Sequence, residues 1–259
     1  MTPTRKRSLR HIADVIAVLV WRDQKSRYTS TGMGVVWAIA SPVLFLLTFY
    51  LLFRIVLPLN IPNYASHLFI GLVFWSWLQS TTMEAVTCII GNPGLVNQPR
   101  FPTVALPLAA TASNLVTLLL TLPLLLVILW SEGAQMGLSV VLLPMLILCQ
   151  FVFVLSAAYL VASLNVVFRD MQYIVPIILQ LGYFTTPIFY DVASMPERAR
   201  FILGFNPMLH LIQAHRRILI YGEWPDMQAL ALVFLGSLVA LWLSFRFFRH
   251  ASLRFLEEI

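Results

Sequence analysis

Six stretches of this chain carry no Lys, Arg, Asp or Glu over lengths close to that of a bilayer crossing: Tyr28–Phe53, Ile55–Met83, Phe101–Ser131, Gly133–Phe168, Met171–Tyr190 and Met227–Phe245. A helix needs ~20 mostly apolar residues to cross roughly 30 Å of hydrocarbon. Charged residues make up 11% of the 259-residue chain and hydrophobic ones 59%, whereas a soluble domain carries about a quarter charged residues. With so few charges the chain cannot cover its own surface with polar groups, and lipid must take that place. Pro42, Pro107, Pro123, Pro144 and Pro176 fall inside these stretches. Membrane helices tolerate such prolines because neighbouring helices re-satisfy the freed carbonyls. The expected fold is an all-α membrane protein with six transmembrane helices.

Basic residues set the expected orientation. Arg5, Lys6, Arg7, Arg10, Arg22, Lys25 and Arg27 precede the first span, and Arg246, Arg249 and Arg254 follow the last. With an even number of crossings both termini lie on one side, and the positive-inside bias makes that side the cytoplasm. The loops at 91–102 and 168–171, with Arg100 and Arg169, then face inward too. The outward segment 191–226 mixes Arg198, Arg200, Arg216 and Arg217 with Asp191, Glu197, Glu223 and Asp226. The net charge of +6 is thereby accounted for by topology and lipid headgroups. Nucleic-acid binding would need a solvated basic face, and none is supplied. Cys88 and Cys149 lie within apolar spans, so no structural disulfide is expected. The start of the chain lacks the pattern of a cleaved signal peptide, because Asp14 interrupts the approach to a short apolar stretch.

Three regions follow. Residues 1–33 form a cytoplasmic interfacial segment, 34–249 the six-span domain, and 250–259 a cytoplasmic tail. Within the first, 8–31 reads as an N-terminal amphipathic helix lying in the interface, with Leu9, Ile12, Ile16, Leu19 and Val20 at helical spacing. Gly32 and Gly34 let the chain turn upright. Between spans five and six, Asn206 is a good N-cap, Pro207 suits the first helical position, and Gly222 suits the position after the helix. A helix over 206–222 rises only about 22 Å, so it is expected as a re-entrant hairpin at the outer face.

The inward loop Gly91–Pro102 leaves room for one helical turn carrying Leu95 and Val96. Apolar residues there need a partner surface, either the membrane or another protein. No catalytic constellation, metal site or bound cofactor is expected. His210 and His215 lack the Glu of a zinc-protease helix, and no G-x-x-x-x-G-K-[ST] phosphate loop is present. The chain therefore cannot hydrolyse ATP by that route, and the energy for any active transport must enter from elsewhere. Arg54 and Glu84 are the intramembrane charges; Arg54 can reach the outer interface, whereas Glu84 is a candidate for a translocation path.

The run Arg22-Asp23-Gln24-Lys25-Ser26-Arg27-Tyr28, with Gly32, Gly34, Trp37 and Pro42, resembles the start of the polysaccharide-exporting ABC transporter permeases. Gly71-Leu72-Val73-Phe74-Trp75, Asn92, Arg100-Phe101-Pro102 and Leu106-Pro107 continue the likeness. Leu164-Asn165-Val166-Val167-Phe168-Arg169-Asp170 is its strongest part, followed by Val175-Pro176, Pro187-Ile188-Phe189-Tyr190 and Asn206-Pro207. The ordered set spans nearly the whole chain.

The resemblance implies a homodimer in the bacterial inner membrane, joined to two copies of an ATP-binding subunit. It implies export of a lipid-linked polysaccharide such as O-antigen through a channel between the permeases. Asn92, Leu95, Val96, Arg100, Phe101, Pro102, Arg169 and Asp170 are then the ATPase-coupling positions. This chain has Asn97-Gln98-Pro99 where the family often carries basic residues, leaving Arg100 to supply the charge. Arg22, Lys25 and Arg27 lie where a lipid pyrophosphate would sit. Trp75, Glu84, Tyr183, Phe184, Phe189 and Tyr190 are channel-lining candidates, since sugar rings stack on aromatic faces. Two other readings stay open: a stand-alone channel or secondary carrier, and a membrane enzyme acting on lipid-linked sugars.

Overall fold

Apolar runs of this length, broken by proline and glycine, build helices. A computed structural model describes residues 3–29, 36–52, 61–99, 101–192 and 195–252, and every element within them is helical. In chain order these are α1 (Pro3–Thr29), α2 (Val36–Leu51), α3 (Tyr64–Thr87), the single turn α4 (Pro93–Val96) and α5 (Ala105–Ser131). A 3₁₀ turn (Leu138–Leu142) leads into α6 (Leu143–Val167), followed by α7 (Met171–Thr185), α8 (Glu197–Leu203) and α9 (Pro207–Arg216). The last continues as a π turn (Arg217–Tyr221), and α10 (Met227–Ala251) closes the described chain.

Three of these helical stretches are long and apolar enough to cross a membrane: Ala105–Ser131, Leu138–Val167 and Met227–Ala251. They make the chain a multi-pass membrane protein. The other three stretches expected to span differ for local reasons. α2 is described over 16 residues, flanked by positions outside the described set. α7 is 15 residues long, about 22 Å at the helical rise. It stops because Thr186 precedes Pro187 and is extended, at φ −90° and ψ 135°; the proline ring disfavours a helical residue before it. α3 has length enough at 24 residues, but 17 of them are buried against other parts of the chain. A helix enclosed this way is free to carry Ser, Thr, Gln and Glu in place of lipid-compatible residues.

α3 is the hub, packing on α2, α5, α6, α7 and α9, while α10 packs most extensively on α6. One apolar cluster gathers Phe69, Phe74 and Trp77 of α3 with Leu125 and Leu129 of α5, Leu146 of α6 and Ile212 and Ile218 of the α9 region. A second joins Leu19 of α1 to Ile89, Val96, Leu106, Tyr159, Val166, Phe248 and Ala251. The second cluster places α1, the 91–99 turn, the start of α5 and the ends of α6 and α10 at one end of the bundle. The first reaches the opposite end, where α9 and the start of α3 lie.

α1 departs from the expected interfacial helix in what covers its stripe. Leu19 is buried, and Val15, Ile16 and Val20 pack beside it against the chain's own core. Val18 and Trp21 face outward. The protein, not lipid alone, takes the apolar face. Gly32, Gly34, Arg54, Arg100 and the tail beyond Ser252 lie outside the described residues, and the side chains of Leu9, Trp37 and Pro42 are likewise not described.

The expected caps of the short helix are present. Asn206 Oδ1 accepts from the Met208 amide at 3.0 Å, Pro207 opens the helix, and Gly222 closes it with φ 66°. A Cβ at Gly222 would lie 2.3 Å from the Gln135 carbonyl oxygen, so both the left-handed backbone and the close approach require glycine.

Candidate functional site

Helical spacing puts Asp23 and Arg27 on one face of α1, and that face meets α3 and α5. Arg27 Nη2 lies 2.6 Å from Glu84 Oε2, and Arg27 Nε lies 2.8 Å from Asp23 Oδ2. Asn114 on α5 joins them, accepting from Arg27 Nη1 at 3.1 Å and donating to Glu84 at 2.8 Å. Ser113 donates to Asp23 and accepts from Gln24 Nε2 at 2.7 Å. One guanidinium thus sits between two carboxylates, with the Asn114 amide and the Ser113 hydroxyl completing their bonds. A partly buried charge persists when it is paired and hydrogen-bonded.

Two expectations meet at this point. Glu84, a channel candidate, and Arg27, a pyrophosphate candidate, are bonded to each other. The remaining two basic candidates lie elsewhere on α1. Arg22 donates to Asn92 Oδ1 at 3.3 Å, and Lys25 Nζ stands 4.8 Å over the Trp21 ring. The structure therefore ties Arg22 to the 91–99 turn and turns Arg27 toward the bundle.

The aromatic candidates do come together. Trp75 and Tyr183 rings are 6.0 Å apart, Tyr183 and Phe184 5.5 Å, Tyr183 and Phe189 5.8 Å, and Phe189 and Tyr190 5.4 Å. Gly182 makes this approach possible, because a Cβ there would lie 2.9 Å from the Trp75 ring. Within the cluster Trp75 is buried, while Phe184 is exposed. Trp75 Nε1 donates to Gln79 Oε1 at 3.2 Å, one turn along α3 in the direction of Glu84.

What holds the cluster was not anticipated. Arg216 on α9 is 4% exposed. Its guanidinium donates to the carbonyls of Pro187 at 2.7 Å, Ile188 at 2.7 Å and His67 at 3.0 and 3.1 Å. Tyr64 donates to the Phe189 carbonyl at 3.2 Å, and Asn206 Nδ2 to Thr186 Oγ1 at 2.8 Å. The segment Thr186–Tyr190 has no regular ladder of its own, so Arg216 and Tyr64 satisfy carbonyls within it while Asn206 holds the Thr186 hydroxyl. In sequence Arg216 read only as one charge among several in an outward loop. The usable signal is an arginine in register with the apolar face formed by Leu209 and Ile212 of a short helix. Glu132 was also missed. It caps the start of α3, accepting from the amides of Ala65 at 3.1 Å and Ser66 at 2.7 Å, where the helix dipole favours a carboxylate.

At the α1 end, Val96 finds its partner surface within the chain and is 5% exposed; Leu95, Phe101 and Pro102 are half-buried beside it. The expectation of a foreign surface for Val96 is corrected accordingly. Asn92 holds the turn by donating to the Cys88 carbonyl at 3.0 Å. Arg169 and Asp170 are exposed, just beyond Asn165, whose amide donates to the Val86 carbonyl at 2.7 Å. The turn and the 168–171 loop thus emerge from neighbouring helix ends. Of the two histidines considered for metal, His210 bonds the Gly204 carbonyl at 2.7 Å and His215 stacks on Phe74 at 3.6 Å.

Known proteins resemble this chain along nearly its whole length. The chain is 34% identical to the O-antigen export system permease protein RfbA of Myxococcus xanthus, over 98% of both proteins. It is 27% identical to the permease of the same name from Klebsiella pneumoniae, over 99% of both. Similarity to the polysialic acid transport protein KpsM of Escherichia coli is 24%, over 90% of this chain and 92% of that one. Residues 14–220 match the ABC-2 type transporter family, and the chain belongs to that family of membrane transport proteins.

Proposed function

We propose that this protein is the membrane-spanning permease subunit of an ATP-driven exporter that carries a lipid-linked polysaccharide, of the O-antigen kind, across the bacterial cytoplasmic membrane. The observation that carries this reading is the end-to-end similarity to an O-antigen export permease, at 34% identity over 98% of both chains. ATP is bound and hydrolysed by a separate subunit, two copies of which join a homodimer of this chain. Supporting the division of labour is the lack of a phosphate-binding loop in the sequence.

In this reading α2, α3, α5, α6, α7 and α10 make six spans within 34–249, with α9 and its π turn as the re-entrant element. Residues 1–33 lie on the cytoplasmic side, as does the tail 250–259, so both termini are cytoplasmic. The clustering of α1, the 91–99 turn and the ends of α6 and α10 at one end of the bundle supports a shared side for these segments. The coupling surface is formed by Asn92, Leu95, Arg100, Phe101, Pro102, Arg169 and Asp170, with Val96 anchoring it from within. Arg22 and Lys25 receive the pyrophosphate of the lipid carrier at the headgroup level, and Trp75, Tyr183, Phe184, Phe189 and Tyr190 offer aromatic faces to sugar rings.

Purification separates this from a lone channel, a carrier or an enzyme on lipid-linked sugars. The exporter reading predicts a stable complex with an ATP-binding subunit and no ATP hydrolysis by this chain alone. An isolated subunit that moves small solutes unaided, or that modifies the glycolipid, would overturn it.

A further inference from the structure

The exposed positions of α3 include three hydroxyl side chains, Ser76, Ser80 and Thr87, which lipid exposure does not call for, alongside the apolar Met83. These four fall on successive turns, with Gln79 and Glu84 half-buried at their margin. The described helices that meet the membrane expose a different chemistry. α5 turns Leu119, Leu126 and Val127 outward, and α10 turns Leu232, Leu235 and Val239. A lipid-facing strip is apolar because polar groups find no partner in hydrocarbon. Two of the hydroxyls on α3 are bonded within the helix, Ser76 to the Val73 carbonyl at 2.8 Å and Thr87 to that of Glu84 at 3.4 Å. Their oxygens nevertheless keep acceptor capacity, and a carboxylate and an amide flank them.

A separate observation points to water at this face. A cavity of about 40 Å³ lies between α3 and α5, lined by Ser76, Ser80, Asn114, Thr117 and Thr121 among others. Val73, Trp77 and Leu118 complete its lining, so polar and apolar groups share it, and it is large enough for one or two water molecules bonded to its hydroxyls and to Asn114. It opens beside Asn114, which belongs to the Arg27–Glu84 cluster. At the other limit of the same strip stands Trp75, bonded to Gln79 and packed on the aromatic cluster.

We propose that this strip of α3, from Gln79 through Ser76, Ser80 and Thr87 to Glu84, is a hydrated wall of the translocation path, joining the aromatic cluster to the polar mouth beside α1. The inference rests on the exporter reading and specifies its occupant as a hydrated sugar polymer. Hydroxyls and amides exchange hydrogen bonds with sugar hydroxyls as readily as water does, so they hold the polymer without a deep minimum and let it move.

The test uses the full chain in complex with its ATP-binding subunit, in sealed vesicles with the cytoplasmic face outward. Single cysteines replace Ser76 or Ser80, and Leu119→Cys on the outward face of α5 serves as the lipid-facing control; the native Cys88 and Cys149, both buried, give the background. A water-soluble, charged maleimide reads hydration, because thiolate forms in water and not in hydrocarbon. The wall predicts at least tenfold faster labelling at positions 76 and 80 than at 119, and slowing when the glycolipid occupies the complex. Equal rates at all three positions would overturn the proposal. A second arm introduces Ser76→Trp and Ser80→Trp and checks that the complex still assembles. Export falling at least tenfold with assembly intact supports the path, whereas unchanged export refutes it even if labelling is fast. Labelling requires no export, so the wall can fail while the exporter reading stands; the latter fails in the unmodified complex before any variant is made.

Discussion

Arg27 on α1 and Glu84 on α3 meet at 2.6 Å across 57 residues of sequence. The contact fastens the N-terminal helix to the central helix of the bundle, with Asp23, Ser113 and Asn114 completing the joint. Each partner's side chain is close to a third exposed, so solvent screens part of the attraction.

Breaking this joint should loosen α1 without unfolding the bundle. Glu84→Gln is expected to cost about 1–2 kcal/mol, the range of a charge-assisted hydrogen bond reduced by partial exposure. Glu84→Arg should cost more, and the exchange Arg27→Glu with Glu84→Arg should recover most of the loss. Limited proteolysis near Thr29 together with melting in detergent measures both. Because Asp23 also faces residue 27, the exchange is made in an Asp23→Asn background, where absence of recovery would show that the two charges do not act on each other.

Arg216 predicts a larger effect. Its replacement by Met leaves the carbonyls of His67, Pro187 and Ile188 without their donor, at roughly 1–3 kcal/mol for each buried group. Lysine keeps the charge but lacks the planar fork, so Arg216→Lys should fall between Met and the native residue. Melting temperature and quenching of Trp75 fluorescence by a soluble agent report stability and cluster integrity separately.

Gly71 leaves the space that Arg216 occupies. A Cβ there would lie 3.0 Å from Arg216 Nη2 and 3.0 Å from both Ile188 Cγ2 and the Ile188 carbonyl oxygen. Gly71→Val should destabilise by about 1–3 kcal/mol through overpacking, and Gly71→Ala by less. Combining Gly71→Val with Arg216→Met should cost less than the sum of the two, because they share one contact; thermal melts of the four proteins measure the difference.

Glu132 caps α3 from the end of α5. Glu132→Ala is expected to cost about 0.5–2 kcal/mol, and Glu132→Gln less, since the amide oxygen still accepts. Hydrogen exchange at the Ala65 and Ser66 amides should rise in the alanine variant ahead of global unfolding.

These positions show what was legible in the sequence. The charge-free runs imply a helical membrane protein, and the caps at Asn206 and Gly222 are legible because capping depends on residues near in sequence. The aromatic candidates lie beside one another, a neighbourhood that residue type alone does not specify. α3 was harder, since burial among other helices relaxes the demand for apolar residues that hydropathy relies on. Arg216 and Glu132 escaped notice because each serves backbone groups far away in the chain: Arg216 bonds His67 across 149 residues and Glu132 bonds Ser66 across 66. Pairings at that range leave no local periodicity. The Arg27–Glu84 contact is of the same kind, two charges that each invited a separate role until the fold joined them.

The most direct measurement of the central claim is ATP-dependent delivery of a lipid-linked polysaccharide into sealed, inside-out vesicles that hold this chain with its ATP-binding subunit. The account predicts glycan protected in the lumen only when both subunits and hydrolysable ATP are present, and none when either chain is omitted. Protected glycan appearing without ATP, or with this chain alone, would contradict it.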